Sequence, residues 1–205
     1  MSETLRTSVK QLVHLIALAV VAPSLASFAL RSRLLGADRA LEGSTQLWAC
    51  VPGLAGQYLR RAFLMHAIAH CASTAVIEFG TIFSSAHARI DAFAYIGPRC
   101  HLGWVHLERD VLLAAGVHVP SGANTHGIAR LDVPIREQPG MKHEVRIGAG
   151  SWIGSAAVVM ADVGRDTIVG AGAVVTRRLP DRVIANGVPA RVVRDREPAL
   201  ARGNG

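Results

Sequence analysis

The sequence predicts a mainly β fold, a parallel β-helix coiled from six-residue repeats, with an apolar helical region ahead of it. Three observations carry that prediction. Twenty glycines stand beside only 5% aromatic residues, a poor composition for packed helices, because glycine is costly inside a helix and helical cores need bulk. Aliphatic residues recur every six positions between Ile90 and Val175. An apolar run, Leu12 to Leu30, contains no Asp, Glu, Lys or Arg and lies before the repeat.

At 205 residues, with 50% hydrophobic and 18% charged residues, the chain suits one folded domain with extensions and excludes a disordered one. The net charge of +7 is spread as single arginines and pairs, without a long basic block or interleaved aromatics. That pattern argues against nucleic acid and leaves an anionic cosubstrate or an anionic lipid surface as partner. Cys50, Cys71 and Cys100 are an odd number with no metal-type or CxxC spacing. They read as small core residues of a protein in a reducing compartment.

The chain divides into residues 1–76, apolar and helix-like; 77–180, repetitive; and 181–205, a basic tail ending in Gly203, Asn204 and Gly205. Leu12 to Leu30 is just short of the roughly 20 residues that span a bilayer. Arg6 and Lys10 before it and small residues at Ser24 to Ala29 allow a secretory signal; a spanning helix is a second reading, but Arg6 and Lys10 at one end and Arg31, Arg33 and Arg39 at the other give it no clear orientation. A helix lying in the membrane interface is the preferred reading. In Leu47 to Val76, Trp48, Tyr58 and Phe63 mix with Arg60 and Arg61. Either the segment also lies at that interface, or it packs on the end of the repeats and caps them.

The repeat reads IDAFAY, IGPRCH, a short LGWVH, LERDVL, LAAGVH and VPSGAN from Ile90, and resumes as IGAGSW, IGSAAV, a short VMAD, VGRDTI, VGAGAV and VTRRLP from Ile147. The first residue of each unit is Ile, Leu or Val, and the fifth is usually small or β-branched. A period of six fits neither a helix at 3.6 nor a strand at 2.0, but does fit a coil with short strands as sides and turns as corners. First-position aliphatics then point inward, and three sides give about 18 residues per coil, hence about four to five coils. The glycines of these units follow from the period and need no nucleotide-binding loop.

From about Gly53 to Arg194, and most specifically over IGAGSWIGSAAVV, VGAGAVVTRRLP and ANGVPARVVR, the sequence resembles the left-handed parallel β-helix (hexapeptide-repeat) acyltransferases, in particular the bacterial sugar and polysaccharide O-acetyltransferases. The left hand is implied by the resemblance alone, since crossovers are otherwise right-handed. So are an acetyl-CoA (acyl-CoA) cosubstrate, direct transfer to a sugar, polysaccharide or other hydroxyl or amine acceptor, and a homotrimer with sites between subunits. No metal is expected.

The interruption, Thr125 to Glu144, is long enough to be functional. It opens on Asn124, Thr125, His126 and Gly127. Transfer to a hydroxyl needs a base, and an imidazole titrating near pH 6.5 suits the task. The resemblance puts that role on His126, with His143 the next choice and Asn124, Asp132 or Glu137 as possible orienting partners. It also implies coenzyme A contacts at Ser155, Ala171, Thr176, Arg177, Arg191 and Arg194. Asn124 and Trp152 are acceptor candidates; Trp152, outward on a coil side, equally suits a neighbouring subunit. The resulting picture is a cytoplasmic enzyme at the inner face of the membrane.

Two alternatives come from other classes. His101 and His106, at His-x4-His spacing, with His66 upstream, suit a zinc enzyme like the hexapeptide-repeat carbonic anhydrases. A noncatalytic membrane-anchored β-helix scaffold is the other. His101 and His118 lie nearly one coil apart and read as a structural column.

Overall fold

The computed structural model describes the backbone of residues 3–196 and the side chains of residues 11–196. The side chains of Arg6 and Lys10, and the tail end Gly203, Asn204 and Gly205, lie outside them.

Three helices come first: α1 (Glu3–Leu35), α2 (Ala37–Ala49) and α3 (Gly53–Ala67). Gly36, at φ 86°, breaks α1 from α2, a conformation that glycine adopts without the steric cost a Cβ brings. The coil stack follows. Its first coil holds β1 (His70–Cys71), β2 (Val76–Ile77) and β3 (Ile82–Phe83); the second, β4 (Arg89–Ile90), β5 (Tyr95–Ile96) and β6 (His101–Leu102); the third, β7 (Val105–Leu107), β8 (Leu112–Leu113) and β9 (His118–Val119). After the interruption come β10 (Val145–Ile147), β11 (Trp152–Ile153) and β12 (Val158–Val159), then β13 (Ile168–Val169) and β14 (Val174–Val175). A hairpin of β15 (Val183–Asn186) and β16 (Arg191–Asp195) closes the described chain.

The strands stack into three parallel faces. The first runs β1-β4-β7-β10, the second β2-β5-β8-β11-β13-β15, and the third β3-β6-β9-β12-β14. Single bridges from Ile147 to Val163 and from Val163 to Leu179 carry the first face on.

Every first-position residue from Ile90 to Val175 is buried, as the repeat predicts. Columns such as Ile96 over Leu113 and Leu113 over Ile153 fill the coil interior. Fifth positions are buried too, at Ala94, Cys100, Val111, Val117, Ser151, Ala157, Thr167 and Ala173, whereas Ala123 has already left the stack and is exposed. The buried hydroxyls are bonded: Ser151 Oγ donates to the Gly164 carbonyl at 2.7 Å and Thr167 Oγ1 to that of Pro180 at 2.8 Å, so neither leaves an unpaired polar atom.

The first coil begins at His70, ahead of Ile77 where the period is first legible. Its inward residues are Cys71, Ile77 and Phe83. A thiol and an aromatic ring break the aliphatic pattern, and the extra residue between Phe83 and Ile90 breaks the count. At the other end, the basic tail folds in part, because β16 pairs antiparallel with β15.

Both ends of the stack are covered. Arg60 of α3 donates to the Ile77 carbonyl at 2.9 Å and also to Trp48 and Val51 carbonyls. Thr45 of α2 accepts from Phe83 N–H at 3.2 Å, and Asp38 from Ala86 N–H at 2.9 Å. Within the Leu47 to Val76 segment, α3 therefore packs on the end of the repeats, whereas His70 to Val76 belong to the first coil itself. α1 packs one side on α2 and α3 through Ala17, Val21, Leu25 and Phe28, and leaves Leu12, Leu15, Ile16, Val20, Leu30 and Leu34 exposed. By length and composition, Gln11–Leu35 could cross a bilayer.

Cys71 and Cys100 are buried, and burial pushes their thiols up to about 12 and about 11. Cys50 is exposed. Because the thiolate is the reactive form, an aromatic disulfide reagent is expected to titrate one thiol in the native protein and all three after denaturation.

Candidate active site

At the end of the third coil, Pro120, Ser121 and Gly122 turn the chain out of the stack, and residues 120–144 form an arm before β10 rejoins it. The excursion leaves the ladder intact: β10 pairs directly with β7, Val145 opposite Val105 and Ile147 opposite Leu107. The arm's two legs are tied together, His143 N–H to the Ser121 carbonyl at 3.1 Å and Met141 N–H to that of Asn124 at 2.7 Å. Its tip is closed by the buried amide of Gln138, which accepts from Arg130 N–H and donates to the Arg130 and Val133 carbonyls.

His126 stands exposed near the base of this arm. Its backbone is clamped by Gly140, where an added Cβ would lie 2.1 Å from the Thr125 carbonyl oxygen and 2.5 Å from the His126 nitrogen. Only glycine lets the legs close at the histidine. Asn124 is exposed on the same leg, and His143 lies across Gly122, where a Cβ would sit 2.0 Å from its Cε1. Asp132 and Glu137 are paired with Arg130 and Arg136; the Arg130 guanidinium holds the Asp132 carboxyl below its ordinary range.

Beside the arm, α2 and the third face enclose an open pocket of about 430 Å3. Asp38 and Glu42, one turn apart on α2, form one wall; Ser84, His101 and His118 form the floor; Thr125 and Lys142 bring the arm to its rim. Lys142 Nζ pairs with Asp38 at 3.4 Å. His101 and His118 are register partners, their rings edge-to-face with centroids 5.1 Å apart. Burial first, and then the neighbouring His118, lowers the His101 pKa, against a smaller pull upward from Glu42. The expected column of two histidines is present, and it also floors a pocket. Sequence reasoning missed Asp38, Glu42, Ser84 and Lys142; the i, i+4 spacing of the two α2 carboxylates was the available signal.

Of the residues expected to hold coenzyme A, Ser155, Ala171, Thr176 and Arg177 flank the same face higher up, and Arg191 and Arg194 lie at the upper end of the second face. Ser155 and Ala171 sit at the corner before β12 and β14, Thr176 and Arg177 at the corner after β14, and Arg191 and Arg194 on β16. All six are exposed. Between the two corners the outward side chains are Val158 and Val174. Trp152 is elsewhere: it lies 49% exposed on the second face, between Leu112 and Ile168.

The three histidines of the zinc alternative do not meet within the chain. His66 is on α3, His101 on the third face and His106 on the first, where it bonds Asp91 at 3.0 Å. Among the described residues no three His, Cys, Asp or Glu side chains gather as metal ligands would.

No family model matches the chain. A probable acetyltransferase of Mycobacterium tuberculosis is 39% identical over 74 residues, 35% of this chain, which spans only 25% of that protein's length. The galactoside O-acetyltransferase of Escherichia coli K12 is 26% identical over 165 residues, 70% of this chain and 81% of the relative. A galactoside acetyltransferase solved in complex with coenzyme A superposes with a TM-score of 0.61 at 21% identity, covering 78% of this chain and 81% of the other. The six-residue period and the three parallel faces stacked from it give the chain the fold of the coenzyme A-bound galactoside acetyltransferase, and its sequence is similar to that of the Escherichia coli enzyme over 70% of its length.

Proposed function

We propose that the protein is an acyl-CoA-dependent acyltransferase that moves an acetyl group onto a hydroxyl of a sugar or polysaccharide intermediate. One observation carries the reading. The third face bears a polar pocket on its lower coils and the candidate coenzyme A corners on its upper coils, and the arm with His126 leaves the stack at the level between them.

The acceptor hydroxyl lies in the pocket, where carboxylates, imidazoles and a serine offer the hydrogen bonds a polyol requires. The His126 imidazole takes the hydroxyl proton as the oxygen attacks the thioester carbonyl. The tetrahedral intermediate collapses to the ester, and the departing thiolate takes the proton back from the imidazolium. The phosphates of coenzyme A meet Arg177, Arg191 and Arg194. The coenzyme A complex of the similar galactoside acetyltransferase supports this cosubstrate.

The active unit is a homotrimer. The second face presents an outward column of Val76, Tyr95, Leu112, Trp152, Ile168 and Ile184, and the arm exposes Ile128, Leu131, Ile135 and Met141. Apolar patches of this kind mark interfaces. α1, held along one side and apolar on the other, lies in the interface at the inner face of the membrane, which suits a lipid-linked or membrane-borne acceptor.

Thiol release from acetyl-CoA, measured against a panel of sugar acceptors, tests the reading. Acceptor-dependent release is expected; a protein that binds coenzyme A yet releases no thiol with any hydroxyl acceptor would be a scaffold. Arg177→Ala is expected to raise KM for acetyl-CoA about three- to tenfold with kcat in place, as loss of an exposed phosphate contact should.

A further inference from the structure

A second pocket, of about 510 Å3, opens away from the third face, between α1, α3 and the corner joining the first and second faces. His14 of α1, Tyr58 and Arg61 of α3, and Ser73, Thr74 and Phe93 of that corner line it. We propose that this pocket binds an anionic phospholipid, its phosphate at Arg61 and its first acyl carbons against Tyr58 and Phe93.

Charge is the first support. The pocket beside the arm holds Asp38 and Glu42, whereas the described lining here carries a guanidinium and no carboxylate. Arg61 is held ready, stacked 4.8 Å over the Tyr58 ring and donating to the Ala75 carbonyl at 3.3 Å. That leaves further N–H groups for a phosphate, which guanidinium geometry matches.

Phe93 is the second. Up this corner of the stack the left-handed position is filled by Phe93, Asp110, Gly150, Asp166 and Arg182, with φ of 62°, 59°, 68°, 55° and 54°. Glycine, Asn and Asp tolerate this region, and a bulky side chain there is a genuine outlier. Phe93 is nonetheless placed there, with its N–H on Thr74 Oγ1 at 3.0 Å and Arg109 stacked on its ring at 4.8 Å. It is left 51% exposed at the pocket wall. A ring with one face on Arg109 and half its surface open at the pocket wall offers apolar area to a ligand's acyl carbons.

Continuity with α1 is the third. Leu12, Leu15 and Ile16, beside His14 in sequence, belong to the exposed apolar side of that helix. A lipid anchored at Arg61 would run its chains along a surface that has no protein partner among the described residues. The proposal is compatible with α1 lying in the membrane, and independent of the acyl-transfer reading.

Calorimetry with monomeric dihexanoylphosphatidylglycerol, dihexanoylphosphatidylcholine and glycerol 3-phosphate tests it. The anionic lipid should bind about tenfold more tightly than the zwitterionic one, and Arg61→Gln should erase that difference. Phe93→Asn should weaken both lipids by about fivefold while Tm holds or rises, because Asn accepts the left-handed backbone. Wild-type level sedimentation of Arg61→Gln with phosphatidylcholine vesicles is also expected, since α1 rather than the pocket makes that contact. The proposal is overturned by equal affinity for the two lipids, by a preference that survives Arg61→Gln, by glycerol 3-phosphate binding as tightly as the lipid, or by Phe93→Asn leaving lipid affinity unchanged. Loss of vesicle sedimentation in Arg61→Gln would trace the effect to helix packing and overturn it equally.

Discussion

Replacing His126 with Ala is expected to lower acceptor-dependent kcat by about 10²- to 10⁴-fold, the range a positioned general base supplies, while KM for acetyl-CoA stays close to wild type. The separation follows from the architecture: His126 lies at the base of the arm, and the residues proposed to hold the cosubstrate lie on the coils above it. The arm projects from the stack without disturbing the pairing of β7 with β10, so the variant keeps its thermal stability. Unchanged kcat with the histidine gone would remove His126 from the chemistry and pass the role to another group of the arm or pocket.

The second large effect is expected at Gly140→Ala, a residue with no chemistry of its own. A methyl group there would lie 2.1 Å from the Thr125 carbonyl oxygen and 2.5 Å from the His126 nitrogen, distances that backbone atoms cannot tolerate. The two legs must part, and His126 moves with them. A misplacement near 1 Å costs about 10²-fold in rate, so kcat falls by about that factor. The arm's tip is held separately through the Gln138 amide, so the damage stays local and Tm changes little. Retention of full activity would mean that the legs part without moving the imidazole.

The coil stack was legible because its rule is simple and holds in every unit from Ile90: one inward aliphatic at the first position, with nothing polar admitted there. It failed where another residue satisfies the same geometry. Cys71 and Phe83 fill the first coil as well as Ile77 does, yet neither belongs to the aliphatic alphabet from which the period is counted. The arm was legible as an interruption, and His126 as a candidate base within it.

The pocket was not legible, and the cause is distance along the chain. Asp38 and Glu42 belong to a short helix of mixed polar and apolar residues; nothing local says that they face Ser84, His101 and His118. The two histidines were readable as a column, since one coil separates them, but a column says nothing about what stands opposite. Trp152 shows the converse. Its outward position was legible, but which of three faces it occupied depended on counting corners through the arm, and the structure puts it on the second face, away from the pocket.

The caps carry a further consequence. A stack of parallel coils ends in rows of unpaired N–H and C=O groups, each a template for another strand. Here Arg60, Thr45 and Asp38 occupy the lower row, and β16 lies antiparallel along the upper end of the second face, where the next parallel coil would dock. Stripping the chain of everything before His70 would therefore do more than remove the proposed membrane contact. It would leave the Ile77 carbonyl and the Phe83 N–H open to the next molecule, and the product would be expected to grow end to end into fibres that pellet on their own. Attachment to lipid is then better probed by polar substitutions at Leu12, Leu15 and Ile16, which leave that lower row covered.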